Sequence, residues 1–309
     1  MISFSSNQRL LYAITLNWNR KEDTLACLSS FLEVRWPAGW EVRVLLVDNG
    51  STDDTVTIVQ AHFPQVEVLA HENNLGFARG ANSGLRHALK QGADALFLFN
   101  NDTLFDPEMG APLLESFQGK VAAVSPAIFY TDPPTAIWSV GGGRHPWTLE
   151  MTGNHGRSQP LPTHPFQTEF LTGCALLFRR EALQEIGLFD EQFFMYYEDS
   201  DWSLRARQAG WALLVAPGAR MWHKEAQSSG GVGSASERYQ KGRASLQFFR
   251  KHAQRGQWLA IIPFRLASAL KSSLQLARRG QSKALRAYWR GLWHGLRDEV
   301  HVEGVNCAP

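Results

Sequence analysis

Hydrophobic positions along this chain come in short unbroken runs, and several runs end abruptly in polar residues. Residues 11–16 close on Asn17-Trp18-Asn19-Arg20, residues 42–47 on Asp48-Asn49-Gly50-Ser51-Thr52-Asp53-Asp54, and residues 95–99 on Asn100-Asn101-Asp102. Such runs are too short for ordinary helices and lack two-residue alternation, which predicts strands buried on both faces of a parallel sheet. Segments of helical period lie between them. Asn19 with Glu22 three residues on resembles a capping box, and Leu25, Leu28 and Leu32 then share one face. A short helix over 54–62 and a strand over 66–69 follow, and then Glu72-Asn73-Asn74-Leu75-Gly76-Phe77-Ala78-Arg79-Gly80-Ala81-Asn82. Glycines that open a helix let backbone N–H groups approach an anion, although they serve packing more often. The order βαβαβαβ predicts an α/β domain with a right-handed, mostly parallel sheet, and three polar-tipped strand ends meeting at one crevice.

Beyond a strand over 121–124 the chain loosens into a Gly-, Pro- and His-rich excursion through about residue 165, expected to serve as a lid or acceptor contact. A strand returns over 169–178, a helix starts at Arg180, and three carboxylates crowd into Glu198-Asp199-Ser200-Asp201 after a run of aromatic residues. If a helix starts near Glu198, that acid complements the helix dipole while Asp199 can point into the site. A strand over 211–215 leads through Pro217 to Met221-Trp222-His223.

With 309 residues, 44% of them apolar, the chain can bury a sizeable core. A formal charge of +2 implies no general nucleic-acid role, and no reading motif accompanies the basic residues. That small total hides an uneven distribution: residues 239–299 hold thirteen Lys and Arg against two acids, interleaved with residues such as Phe248, Phe249, Trp258, Leu259, Ile262, Trp289 and Trp293. This basic amphipathic region either lies in a membrane interface or packs on the domain with its cations in water. Cys27, Cys174 and Cys307 have no metal-ligand spacing, as expected of buried or incidental thiols in a reducing compartment. No signal peptide and no spanning helix are expected. A dinucleotide-binding oxidoreductase and a P-loop nucleotidase are disfavoured, since neither G-x-G-x-x-G after the first strand nor G-x-x-x-x-G-K-[ST] occurs.

Taken together, Ile14-Thr15-Leu16-Asn17-Trp18-Asn19, Val47-Asp48-Asn49-Gly50-Ser51-Thr52-Asp53, Glu72-Asn73 with Gly76-Phe77-Ala78, Asn100-Asn101-Asp102, Thr172-Gly173, Phe189-Asp190-Glu191, Tyr197-Glu198-Asp199-Ser200-Asp201 and Trp222-His223 form an ordered set. The set resembles the family-2 inverting glycosyltransferases of the GT-A fold, in particular rhamnosyltransferase-like members that act on cell-surface polysaccharides. The resemblance implies a GT-A catalytic domain over 1–235, with a donor half to about 125 and an acceptor half after it, and a helical extension over 236–309. It implies that Thr15, Asn17 and Asp48 hold the nucleoside, that Asn73, Asn101 and the Gly76 turn lie near the donor, and that Asp102 and His223 bind Mg²⁺ or Mn²⁺. Asp199 is then the catalytic base, with Thr172, Gly173, Glu198 and Asp201 on the acceptor side. The implied partners are a dTDP- or UDP-sugar and a glycan or polyprenyl-linked acceptor, met in the cytoplasm or at the inner face of the cell membrane. The usual acidic-x-acidic metal motif is reduced here to Asn100-Asn101-Asp102, which leaves one carboxylate. A sugar-phosphate nucleotidyltransferase and a non-catalytic nucleotide-sugar or membrane-binding module are the rival expectations.

Overall fold

A computed structural model describes residues 8–153, 160–224 and 233–297; Cys307 and the two acids Asp298 and Glu299 lie outside the described residues. The apolar runs of the first hundred residues are strands. In chain order the elements are β1 (Arg9–Asn17), α1 (Lys21–Leu32), β2 (Trp40–Asp48), α2 (Thr55–His62), β3 (Val66–Ala70), α3 (Phe77–Lys90) and β4 (Ala95–Asn100). They are followed by β5 (Thr103–Phe105), α4 (Gly110–Glu115), β6 (Val121–Tyr130), β7 (Ile137–Ser139), β8 (Gly142–Arg144), β9 (Met151–Gly153), β10 (Phe166–Thr168) and β11 (Ala175–Arg179). The chain continues through α5 (Arg180–Ile186), α6 (Glu198–Gln208), β12 (Ala212–His223), α7 (Ala235–His252), α8 (Trp258–Arg278) and α9 (Ser282–Arg297).

The main sheet runs β10-β12-β6-β11-β4-β1-β2-β3, with β5 beside β12 and β7 beside β6. The four strands on the β3 side are parallel, so the polar ends of β1, β2 and β4 come out at the same edge. β11 runs antiparallel between β4 and β6, so β4 has a parallel neighbour on one side only and the sheet is mixed. This reversal brings the start of β11 to the end of β4. The strand read over 211–215 extends past Pro217: β12 runs to His223 and shifts register against β6 between Ala216 and Arg220.

Alternate residues of the central strands feed two cores. Tyr12, Ile14, Leu45, Val47, Leu96 and Leu98 pack with α3, and Leu11, Ala13, Leu46, Phe97 and Phe99 pack with α1. On the second face Phe31 stacks on Phe99 at 4.9 Å. α3 lies so close to the sheet that a Cβ on Gly84 would sit 2.7 Å from Ile14 Cγ2 and 2.8 Å from Val47 Cγ2. Gly84→Ala is therefore expected to destabilise the protein by up to about 2 kcal/mol despite alanine's better helix propensity, as thermal denaturation would show.

α7, α8 and α9 form the helical extension. It is joined to the sheet domain by a third cluster, in which Phe248 and Phe249 of α7 and Ile261 of α8 pack with Leu149, Phe193 and Leu204. α7 and α9 touch backbone to backbone, since a Cβ on Gly295 would lie 2.6 Å from the Arg243 carbonyl oxygen.

Candidate active site

The floor of the crevice is a buried polar network linking three strand ends. Asn17 Nδ2 donates to Asp48 Oδ1 at 2.8 Å and to Ser51 Oγ at 3.0 Å, while Asn17 Oδ1 accepts from Thr24 Oγ1 at 2.9 Å and from Asn101 Nδ2 at 3.1 Å. Ser51 returns two hydrogen bonds to Asp48, from its amide at 3.0 Å and its hydroxyl at 2.6 Å. Asn17, Asp48 and Asn101 are each almost fully buried, so their hydrogen-bonding capacity is committed largely to fixing the loops. Thr15 is placed below this layer: it is fully buried, points to the same face as Leu11 and Ala13, and its hydroxyl has no partner. It underlies the network and does not reach the crevice surface. Asn19 does not cap α1, whose first turn follows Arg20 with no side-chain cap. It adopts φ 51° and accepts the Thr52 N–H at 2.7 Å, tying the first loop to the second.

The α3 entrance differs from an anion cradle. The Gly76 N–H donates to Asn74 Oδ1 at 2.9 Å, and the Phe77 N–H to the Phe194 carbonyl at 2.7 Å. The leading donors of that turn are thus satisfied by protein. Gly76 is required there because its φ is +83° and a Cβ would meet Phe194 at 2.6 Å. Asn49 holds the turn from below, donating to the Gly76 carbonyl at 3.1 Å and accepting from the Leu75 N–H at 3.1 Å. In the sequence Asn49 reads only as part of a turn; its buried role depends on a segment 25 residues on. Asn73 is exposed at the rim, and its backbone fills the space beside Gly50.

Asp102 and His223 meet at the mouth of the crevice. Both are buried, with Asp102 Oδ1 3.1 Å from His223 Nε2, an approach that is not aligned as a hydrogen bond. Burial works against a charged imidazole, but the Cys174 sulfur and the Asp102 carboxylate outweigh it and raise the His223 pKa to about 11. Among the described residues no group of three His, Cys, Asp or Glu side chains gathers. An orphaned carboxylate oxygen beside an imidazole nitrogen fits a hard divalent cation that takes its remaining ligands from a bound diphosphate and water. A cation at this pair would replace the imidazole proton.

Asp199 stands on the other side of the β11 entrance. Two consecutive left-handed residues, Tyr196 at φ 71° and Tyr197 at φ 68°, turn the chain so that α6 begins with the acids. A left-handed conformation is costly for a non-glycine residue, and the pair is held by packing of the Tyr197 ring against Phe248 at 5.3 Å. Asp199 Oδ2 accepts the Gly173 N–H at 2.9 Å, and Oδ1 accepts the Ser200 N–H at 2.6 Å. Burial raises the Asp199 pKa above the usual carboxylate value, partly opposed by these donors. The next residue, Cys174, gives its carbonyl to the Asn100 N–H at 2.9 Å, and the Cys174 thiol feels the charges of His223, Asp102 and Asp199 alike. Gly173 thus holds Asp199 while Cys174 adjoins the end of β4, two residues before Asp102. Thr172 completes this bend, its Oγ1 accepting from the Cys174 N–H at 3.4 Å.

The other two acids of the cluster turn inward. Glu198 is 5% exposed, and burial together with the nearby Asp199 charge pushes its pKa well up, which favours its neutral form. Asp201 is fully buried and faces away from any acceptor: Oδ2 takes Arg205 Nε at 2.8 Å, and Oδ1 takes Lys251 Nζ at 2.6 Å and His252 Nε2 at 2.7 Å. This corrects the expectation of an acceptor-binding Asp201. It clamps α6 to the end of α7.

Known proteins resemble both the sequence and the fold. A family model described as Glycosyl transferase family 2 matches residues 12–187. N-acetylglucosaminyl-diphospho-decaprenol L-rhamnosyltransferase of Mycobacterium tuberculosis (strain CDC 1551 / Oshkosh) is 28% identical, over 78% of this chain and 88% of that protein. The dTDP-rhamnosyl transferase RfbF of Shigella flexneri is 22% identical, over 69% of this chain and 68% of its own. Among solved structures, the mannosyltransferase PcManGT from Pyrobaculum calidifontis in complex with GDP-Man and Mn²⁺ aligns with a TM-score of 0.60 at 15% identity, over 95% of this chain and 89% of that one. GalNAc-T7 with UDP, GalNAc and Mn²⁺ also aligns at 0.60, with 17% identity, over 80% of this chain and 51% of that one.

Proposed function

From the premise that this chain belongs to glycosyl transferase family 2 and has the GT-A fold, we propose that it is an inverting rhamnosyltransferase, using a dTDP-activated sugar and a lipid-linked glycan acceptor in cell-surface polysaccharide synthesis at the cytoplasmic face of the membrane. The relatives named for rhamnosyl transfer support the donor, and the decaprenol-linked substrate named for the mycobacterial relative supports the acceptor. One observation supports the mechanism: the adjacent residues Gly173 and Cys174 bond, respectively, the Asp199 carboxylate and the Asn100 end of β4 that leads to the buried Asp102–His223 pair.

In this reading the floor formed by Asn17, Asp48 and Asn101 shapes the nucleoside pocket, with Thr15 beneath it and Asn73 at its rim. Asp102 and His223 would hold Mn²⁺ or Mg²⁺, which when bound offsets the charge developing on the departing diphosphate. Asp199, fixed by Gly173 and Ser200, takes the proton of the acceptor hydroxyl as its oxygen bonds to the anomeric carbon and the bond to the diphosphate oxygen breaks. A single displacement inverts the anomeric centre. Glu198 in its neutral form leaves the local negative charge on Asp199, and Thr172 borders the acceptor.

A thermal-shift series tests this. With dTDP-rhamnose present at about a hundred times its dissociation constant, ligand binding adds about 2.7 kcal/mol of stability, and omission of Mn²⁺ is expected to reduce the shift. Asp102→Asn should abolish the Mn²⁺ increment. If no nucleotide-sugar raises the melting temperature with or without Mn²⁺, the donor assignment is wrong.

A further inference from the structure

α8 turns a row of large apolar side chains outward. Its buried residues are Ile261, Ala269 and Leu276, whereas Leu259, Ile262, Leu266, Leu270 and Leu274 recur at three- and four-residue spacing along its outer side. Leu259, Leu266 and Leu270 are 85%, 64% and 61% exposed, so they are not the margins of a packed interface. α9 extends the same face. Trp289 donates from Nε1 to Ser273 Oγ of α8 at 3.0 Å while half its surface stays open, and Trp293 and Leu296 follow on the same side of α9. An apolar patch of this continuity marks a surface that something covers.

Charge identifies the cover. Between residues 238 and 297 the sequence contains no Asp or Glu. Lys271 and Arg278 are exposed along one edge of the leucine stripe, and Lys283 and Arg286 are exposed on α9. A second copy of this chain seated face to face would bring these cations against themselves with no acid from the same segment to answer them. An anionic bilayer answers both features: leucines enter the acyl boundary, tryptophans settle at headgroup depth, and cations meet lipid phosphates. No described helix is long and apolar enough to cross a membrane, which leaves lying in the interface.

We propose that the outer face of α8 and α9 is an interfacial docking surface for anionic phospholipid. The proposal rests on the lipid-linked acceptor reading for its purpose, and its geometry adds a link. α7 joins the docked helices to the base-bearing helix, because Lys251 and His252 at its end hold Asp201, two residues beyond Asp199. Docking would thus fix the orientation of the acceptor side relative to the bilayer in which a polyprenyl chain is anchored.

Flotation of the full chain with vesicles of phosphatidylcholine alone, or mixed with phosphatidylglycerol, tests the surface. Association is expected with the mixed vesicles at low salt, weaker at high salt, and absent with phosphatidylcholine alone. The double variant Leu266→Asp/Leu270→Asp, at exposed positions, should lower the affinity about a hundredfold or more and leave the dTDP-rhamnose thermal shift unchanged. Lys271→Glu/Arg278→Glu should remove the salt-sensitive part. Equal flotation of the leucine variant, or no preference for phosphatidylglycerol, would overturn the proposal, as would a dimer in light scattering that the leucine variant abolishes. If vesicles bind but no nucleotide-sugar does, the docking surface stands and the donor assignment falls.

Discussion

Asp199→Asn is expected to lower turnover by about 10²–10⁴-fold while donor affinity stays at the wild-type level. The substitution keeps the size of the side chain and removes its ability to accept a proton. The reason to expect a pure rate effect lies in the division of the site. The proposed nucleoside floor is a network of Asn17, Asp48, Ser51 and Asn101, whereas Asp199 is held separately by Gly173 and Ser200. The pH profile provides an independent reading. Because burial raises the Asp199 pKa, wild-type activity should fall on acidification at a pH above the ordinary carboxylate range, and the residual activity of the variant should lack that limb. Turnover by the asparagine variant at the wild-type rate would remove Asp199 from the chemistry.

Asp201→Ala should have the largest effect on stability. Asp201 is fully buried, and its loss leaves Arg205, Lys251 and His252 facing one another without their shared carboxylate. Breaking a buried ionic cluster by removing one partner costs about 3–5 kcal/mol, or about 6–20 °C in melting temperature for a chain of this size. The pH dependence has a definite sign. Burial alone would raise the Asp201 pKa, but His252, Arg205 and Lys251 outweigh it and hold it at about 2. Against an unfolded value of about 3.9, this stabilisation is complete above about pH 4 and is lost as pH falls towards about 2. The gap in stability between wild type and variant should narrow over that window, as acid titration followed by circular dichroism would show. Should the variant melt with the wild type at neutral pH, the clamp contributes nothing.

The parts of this protein legible in its sequence are those where local pattern and tertiary role coincide. β1, β2 and β4 could be read because central parallel strands are apolar throughout, and each ends on a polar corner: Asn17, Asp48 and Asn100-Asn101-Asp102. Asp102 meets His223, and Asp199 meets Gly173, across long stretches of chain. What stayed hidden depends on distant partners. The antiparallel insertion of β11 carries no local mark, since a short apolar run looks the same in either direction. Asp201 resembled its acidic neighbours until Lys251 and His252, some fifty residues on, claimed it. Gly76 looked like a phosphate turn, yet the need for glycine arises from Phe194 pressing on it.

The Asp201 clamp also sets where this enzyme can be cut or recombined. A fragment confined to the recognisable family match would stop at residue 187, short of the acidic cluster at residues 198–201. One ended at residue 235 would retain Asp201 with Arg205 but forfeit its two remaining partners, and would bare Phe193 and Leu204 where Phe248 and Phe249 now lie. A tail exchanged between relatives at residue 235 would have to bring partners at the positions of Lys251 and His252, whereas one exchanged after α7 leaves the Asp201 contacts of the recipient intact.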